Sequence, residues 1–352
     1  MSDNTDISWA DDTRNPASGC SEARLKDGRM DLACLNCYAR LMSVRQAAMM
    51  AALGRTSIYE GVAERAGGNT ATWTGVFRWD PELLRKVFAE MRGGKVTFLG
   101  SMTDLWHEQH DPALGVALAQ EMRALGARPP ERRPAIVTVT KRADRLRAWQ
   151  REHFPEGLPP WQWPGVTAGS QAAWNERSEE LLRLRAQGPK VVSVEPMTTA
   201  VELGLAGAIP GAWMPDLGYL TSGYRMVYQE IGWVISGGES GQKARPSHPD
   251  WFRALRDECA ATAVPYHHKQ NGEYIEVPLE EARGGDLWLC PDRGAGKEGG
   301  RAPHTQLWRP GDRGAAAGRW SKYRDVVVRR VGKSIAGRQL DGRTHDARPE
   351  FR

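Results

Sequence analysis

Between roughly residues 95 and 270 this 352-residue chain repeats one pattern, in which a short β-branched run stops in polar residues or glycine and an amphipathic stretch follows. That alternation is the mark of βα units, and it constrains the fold strongly, because neighbouring parallel strands need a crossover of helix length between them. The clearest runs are Lys95–Gly100, Ala135–Thr140, Gly165–Gly169, Lys190–Glu195, Gly232–Gly237 and Val264–His268. Trp73–Trp79 and the segment around Trp9 are weaker members of the set. Helix-like stretches include Pro81–Arg92, Pro112–Leu125, Ala172–Gln187 and Pro249–Ala263, several opened by Asp-Pro or Pro signals that suit a first turn. Six to eight such strands in a chain of this length predict an α/β fold with a full or partial (β/α) barrel. A doubly wound sheet fits less well, since no G-x-G-x-x-G follows the first strand.

On this reading residues 1–275 form the barrel-like domain, 276–320 a Gly/Arg/Pro-rich insertion, and 321–352 a basic C-terminal tail. Hydrophobic residues make up 40% of the chain, enough to fill a core. No apolar run approaches the ~20 residues that cross a bilayer, and the first residues lack the basic and apolar regions of a signal peptide. A cytoplasmic protein that does not enter a membrane is expected. Ser321–Arg352 carries nine Lys or Arg against four Asp or Glu, which equals the whole formal charge of +5. The tail either tracks nucleic-acid phosphates or is a solvated surface segment.

The predicted strands end in chemistry-bearing residues. Ser101-Met102-Thr103-Asp104, Thr140-Lys141-Arg142, Gly169-Ser170-Gln171, Glu195-Pro196, Gly237-Gly238-Glu239 and Lys269-Gln270-Asn271 each follow a run. In a barrel these ends share one rim, where active sites of that architecture lie. Taken singly, each has a plainer explanation: Asp104 can cap a helix, Glu195 can pair with a lysine, and Gly237-Gly238 can turn the chain.

Three cysteines near the N-terminus add a candidate metal centre. Cys34 and Cys37 form a C-x-x-C pair, and Cys20 approaches over a 13-residue loop. Three thiolates suit an iron-sulfur cluster with one open iron, or a structural zinc whose fourth ligand is a distant His or Cys, with Cys290 as the plausible extra donor. The alternative is a disulfide or incidental thiols, although few cysteines in a long chain suit a reducing compartment. Cys259, inside a helix-like stretch, reads as a buried thiol. His107 and His110 flank Glu108 but lack the H-E-x-x-H spacing of zinc proteases. His267 and His268 are adjacent on a strand, so they should face opposite sides.

These segments, in order, carry a resemblance. Asn15-Pro16-Ala17-Ser18-Gly19-Cys20, Cys34-x-x-Cys37-Tyr38, Ser101–His107, Thr140-Lys141-Arg142, Val194-Glu195-Pro196, Gly237–Gly241 with Arg245-Pro246 and His248–Trp251, Lys269–Gly272, and Gly332-Lys333-x-x-Ala336-Gly337-Arg338 are collinear across most of the chain. Together they resemble the phage-associated three-Cys-motif family of radical-SAM-like proteins. The resemblance implies a 4Fe-4S cluster on Cys20, Cys34 and Cys37, with S-adenosyl-L-methionine on the fourth iron and an electron donor such as flavodoxin or ferredoxin. It also implies a 5′-deoxyadenosyl radical that abstracts hydrogen from an unactivated carbon. Tyr38 stands where many such proteins place an aromatic residue near the adenine. Gly237, Gly238 and Glu239 resemble the Gly-Gly-Glu element that receives the cofactor's ammonium, while Asp104, Glu195 and Lys141 are further candidates for holding cofactor or substrate. Two features depart from the usual pattern: the long spacing from Cys20 to Cys34, and a Gly-Gly-Glu that follows a late strand.

For some phage members of that family the implied reaction is an isomerisation in thymidine hypermodification. A glycine joined through nitrogen to the thymine methylene in DNA becomes carbon-linked. Removing a hydrogen from the glycine α-carbon gives a stabilised radical, and the migration needs no net redox change. Some of the 14 tryptophans would then stack on the modified base, the rest filling the core. The alternatives are a zinc-stabilised nucleic-acid-binding accessory protein without catalysis, and a radical-SAM base-repair enzyme.

Overall fold

The computed structural model describes residues 5–209, 225–289 and 323–350. Cys290 and most of the Gly/Arg/Pro-rich segment lie outside these. Seven strands build the principal sheet: β1 (Asp12–Arg14), β2 (Val96–Leu99), β3 (Ala135–Thr140), β4 (Gln162–Thr167), β5 (Lys190–Val194), β6 (Ile231–Gly237) and β7 (Tyr266–Gln270). Their spatial order is their chain order, and every neighbouring pair is parallel. The sheet curls into a half-barrel, with β1 and β7 at its two edges. A crossover that returns each time to the next position in the sheet produces this single winding.

The helices are α1 (Tyr38–Ala52), α2 (Pro81–Ala89), α3 (Pro112–Gly126), α4 (Ala143–His153), α5 (Gln171–Arg183), the short α6 (Val227–Glu230), α7 (Pro249–Ala261) and the short α8 (Lys333–Ala336). The Asp-Pro openings work as expected: Asp80 and Asp111 accept the Leu83 and Ala113 N–H groups, each with proline in the first turn. Alternation along the strands separates two faces. Leu99, Ile136, Val166, Val192, Val194 and Val234 point outward and pack under the helices, with Leu84, Leu118, Trp174, Trp251 and Phe252. Cys259 is fully buried in this layer, as expected.

The inner face is graded. At its lower end Trp9, Phe98, Trp163 and Trp233 form an aromatic plug with Val137 and Ile235. Further along the same strands the inward residues are Val139, Thr167 and Ser193, too small to fill the space above. A cavity therefore opens at the C-terminal ends of the strands, where the sequence put its polar residues.

The chain after β7 wraps the sheet's edge. β8 (Tyr274–Val277), β9 (Leu287–Leu289) and β10 (Val326–Arg330) pair antiparallel in the order β8-β10-β9, so residues on both sides of the boundary expected at 275 share one sheet. The last described segment then runs along β7, where the His268 N–H donates to the His345 carbonyl and Trp233 Nε1 donates to the Ala347 carbonyl. Arg348 reaches the Ser8 carbonyl and Asp11 just before β1. This segment thus bridges the seam that the sheet leaves open. Arg324, Arg329, Arg330, Arg338 and Arg348 of the basic tail all pair with carboxylates of the same chain. Among the described residues no helix is long and apolar enough to cross a membrane.

Candidate functional site

Cys20, Cys34, Cys37, Tyr38, Asp104, Lys141, Arg142, Glu195, Gly238, Glu239, Lys269 and Gln270 all line one cavity of about 1650 Å³ at the rim of the half-barrel. Residues spread over 250 positions of sequence are brought together because they lie at or after the ends of six strands of one parallel sheet.

Each cysteine is placed by a different device. Cys20 continues the path of β1 alongside the end of β2, and Thr103 Oγ1 donates to the Gly19 carbonyl at 2.6 Å. Gly19 has φ +104°, and a Cβ there would lie 2.5 Å from the Val76 carbonyl oxygen, so only glycine fits. Cys34 ends a 3-10 turn that Asp31 caps, and its sulfur accepts the Ala23 N–H at 3.3 Å. Asp31 is fixed by an ion pair of 2.6 Å with Arg177 from α5. Arg177 also donates to the carbonyls of Thr167 and Lys141, which ties the Cys34 loop to the ends of β4 and β3. Cys37 is the N-cap residue of α1, where the helix dipole favours negative charge.

The described cysteines are free thiols. Burial, followed by the charge of Asp104, pushes the Cys20 thiol up to about 12, while Arg142 and Lys141 pull the other way. Burial also raises Cys34, again opposed by Lys141. Without metal Cys20 and Cys34 are protonated thiols; a bound cation would reverse that balance. Among the described residues no three His, Cys, Asp or Glu side chains already stand as a metal-ligand group, so ligation requires the cysteine loops to draw together. The donor set itself fits a cluster: three thiols on one cavity, an N–H···S hydrogen bond, a helix N-terminus and nearby cations.

The carboxylates of the wall fall into two kinds. Asp104 accepts from the Thr140 hydroxyl at 2.6 Å, the Lys141 N–H at 3.1 Å and Arg142 at 3.2 Å, and so braces the ends of β2 and β3. Burial works to raise its pKa, but Arg142 and those hydrogen bonds bring it below the usual value. Glu239 is gripped at both oxygens by Arg245, whose guanidinium also donates to the Leu32 carbonyl beside Cys34. Glu195 differs. Its Oε1 receives Lys269 at 2.7 Å and Gln270 at 3.1 Å, while Oε2 has no partner among the described residues. The two glycines of Gly237-Gly238 serve strand packing, since a Cβ on Gly238 would meet the Asn271 carbonyl at 2.4 Å and one on Gly237 would meet Glu195 at 3.1 Å.

Tyr38 donates its hydroxyl to the Ser101 carbonyl at 2.7 Å, which holds the ring at the cavity wall. His107 and His110 are structural: His107 Nε2 faces Ser21 Oγ at 2.7 Å, His110 Nε2 faces Thr103 Oγ1 at 3.1 Å, and both rings pack on Phe77. His267 meets Trp233 on the inner side and His268 meets Phe252 on the helix side, the opposite facing expected of neighbours on a strand. Of the two arginines that position the Cys34 loop, Arg177 was not singled out by sequence reasoning, and Arg245 entered only as part of a collinear motif, with no role given to it. Both lie in helical or loop context far from the cysteines, and only the fold brings them there.

A family model described as protein of unknown function (DUF5131) matches residues 4–349, and the chain belongs to that family. No curated protein and no solved structure matches it.

Proposed function

We propose that this member of the DUF5131 family is a radical-SAM enzyme, holding a 4Fe-4S cluster on Cys20, Cys34 and Cys37 and S-adenosyl-L-methionine in the adjoining cavity. The observation that carries the reading is the meeting of three free thiols with one large cavity on the C-terminal rim of a parallel half-barrel. Three thiolates leave one iron open, as chelation by a cofactor requires. When bound, cluster and cofactor would supply the means to remove a hydrogen atom from an unactivated carbon, chemistry that no side chain offers.

The chain's own residues bind and orient. Glu195 is the best-placed receiver of a ligand ammonium, because its Oε2 is free while Lys269 and Gln270 hold the group still. Glu239 is already neutralised by Arg245 and acts as a brace, as Asp104 does. The Tyr38 ring, fixed through its hydroxyl, offers a flat wall for an adenine. The cavity exceeds the roughly 300–1,000 Å³ of ordinary small-molecule sites, leaving room for a substrate beside the cofactor. Tyr59, Trp73, Phe77 and Trp79 in its wall suit a base turned out of a DNA strand. For the substrate, the collinear motifs favour an N-linked glycinyl-thymine in phage DNA, isomerised to its C-linked form, with flavodoxin or ferredoxin as the electron source.

The test is anaerobic reconstitution with iron and sulfide. About four irons per chain, a brown chromophore, and release of 5′-deoxyadenosine on reduction with S-adenosylmethionine are expected, each lost on Cys20→Ala, Cys34→Ala or Cys37→Ala. One tight zinc, no cluster and no cofactor cleavage would reject the reading.

A further inference from the structure

Of the three partly buried cations that line the cavity, Lys141, Arg142 and Lys269, one has no carboxylate partner. Arg142 binds Asp104 and Glu108, Lys269 binds Glu195, Arg245 binds Glu239, and Arg177 behind the wall binds Asp31. Lys141 sits among them, half-buried and lining the same cavity, and its ammonium has no hydrogen bond or ion pair among the described residues. Its backbone is pinned from both sides: the N–H donates to Asp104 at 3.1 Å, and the carbonyl accepts Arg177 at 3.1 Å. A lysine anchored so firmly at its root, with its head left free in a low-dielectric wall, is held there against the cost of burying an unpaired charge.

The groups that the ammonium faces identify its counterpart. Lys141 lines the same cavity as Cys20, Cys34 and Cys37, and the wall carboxylates Asp104 and Glu195 already hold Arg142 and Lys269. Asp31 is committed to Arg177, so the three sulfurs are the groups on which negative charge can still develop. We propose that Lys141 is the standing counter-charge of the three-thiolate site and sets how tightly that site holds a metal or cluster. Metal ligation uses the cysteines as thiolates, and this cation offsets the negative charge they carry. The inference rests on the three-cysteine reading above but does not depend on which metal is held.

The test uses Cd²⁺ on reduced, metal-free, full-length protein, followed by the thiolate-to-cadmium absorption band against a competing chelator. K141M should weaken binding about tenfold or more, while K141R, which keeps the charge, stays close to wild type. Metal-free K141M should melt at or above the wild-type temperature, because an unpaired half-buried cation has been removed. Unchanged cadmium affinity in K141M overturns the proposal. So does equal weakening in K141R, or a drop in the metal-free melting temperature that tracks the affinity loss. Wild-type protein whose cadmium binding is indifferent to Cys34→Ser rejects the three-cysteine site and this proposal together, a result distinct from the others.

Discussion

Arg177 shows how a single side chain can position a site without touching it. Its ion pair with Asp31 is almost completely dry, the two side chains being 5% and 1% exposed, and Asp31 in turn caps the turn that carries Cys34. Arg177→Ala leaves that carboxylate buried without its counter-charge, so it should cost about 3–5 kcal/mol in urea unfolding. Combining Arg177→Met with Asp31→Asn, which keeps a capping oxygen, should recover much of the loss; a single variant within about 1 kcal/mol of wild type contradicts this account. None of this was legible in the sequence, where Arg177 is one charge on an amphipathic helix. Glu239 is the converse. Its Gly-Gly-Glu context marked it as a ligand for an ammonium, and its place on the rim was read correctly, but its partner in the fold is Arg245. Residue identity set where these groups would stand; which charge neutralises which depends on how the chain is folded, whether the partner is remote, as Arg177 is for Asp31, or in the same loop, as Arg245 is for Glu239.

At the scale of elements the sequence was far more informative, because strand periodicity and helix caps are local. All six strands expected from β-branched runs agree with the structure to within about three residues at either end, and the Pro-led helices start where expected. Trp73–Trp79 was less well read: Ala71–Trp73 pairs in a hairpin with Ala63–Arg65, and Arg78–Trp79 pairs with Ala17–Ser18, away from the principal sheet. Short pieces of sheet stabilised by neighbours on the roof of the cavity leave no clean alternation to read. The loop before β1's partner also yields a contrast between two glycines. Gly19 and Gly28 both have positive φ, but only Gly19 meets another chain segment where a Cβ would be, 2.5 Å from Val76 O against nothing within 4 Å for Gly28. Gly28→Ala should carry backbone strain alone, about 1–2 kcal/mol, and leave metal uptake intact. Gly19→Ala must also displace the Cys20 loop, so it should lower both stability and metal uptake; uptake equal in the two variants would show that Cys20 is not held by this contact.

The whole molecule is an open half-barrel closed by its own C-terminal segment. A tail read as a candidate phosphate-tracking arm has five of its arginines on the chain's own carboxylates, which leaves closure of the seam as its visible work. The joint is built on two buried histidines. Burial first, then Arg338, holds His267 down to about 3, with Arg348 and His268 acting in the same direction and Asp346 opposing. Burial likewise lowers His268 to about 4, against its hydrogen bond to Asn271 and with His345 and Arg338 adding to the fall. Both rings are neutral in the fold, whereas in the unfolded chain they take a proton near 6.5. Between about pH 6.5 and 4 the unfolded state therefore binds more protons, and stability falls as the pH falls through that window. Removing residues 338–352 should expose Trp233, now 0% accessible, and lower the thermal midpoint at pH 7.5. It should also weaken the acid dependence, since Arg338, Arg348 and His345, which help keep both rings neutral, leave with the segment. Melting curves of full-length and truncated protein from pH 7.5 to 4.5 decide the matter: parallel curves would mean that acid acts elsewhere, on His107 and His110, also lowered to about 4 by burial.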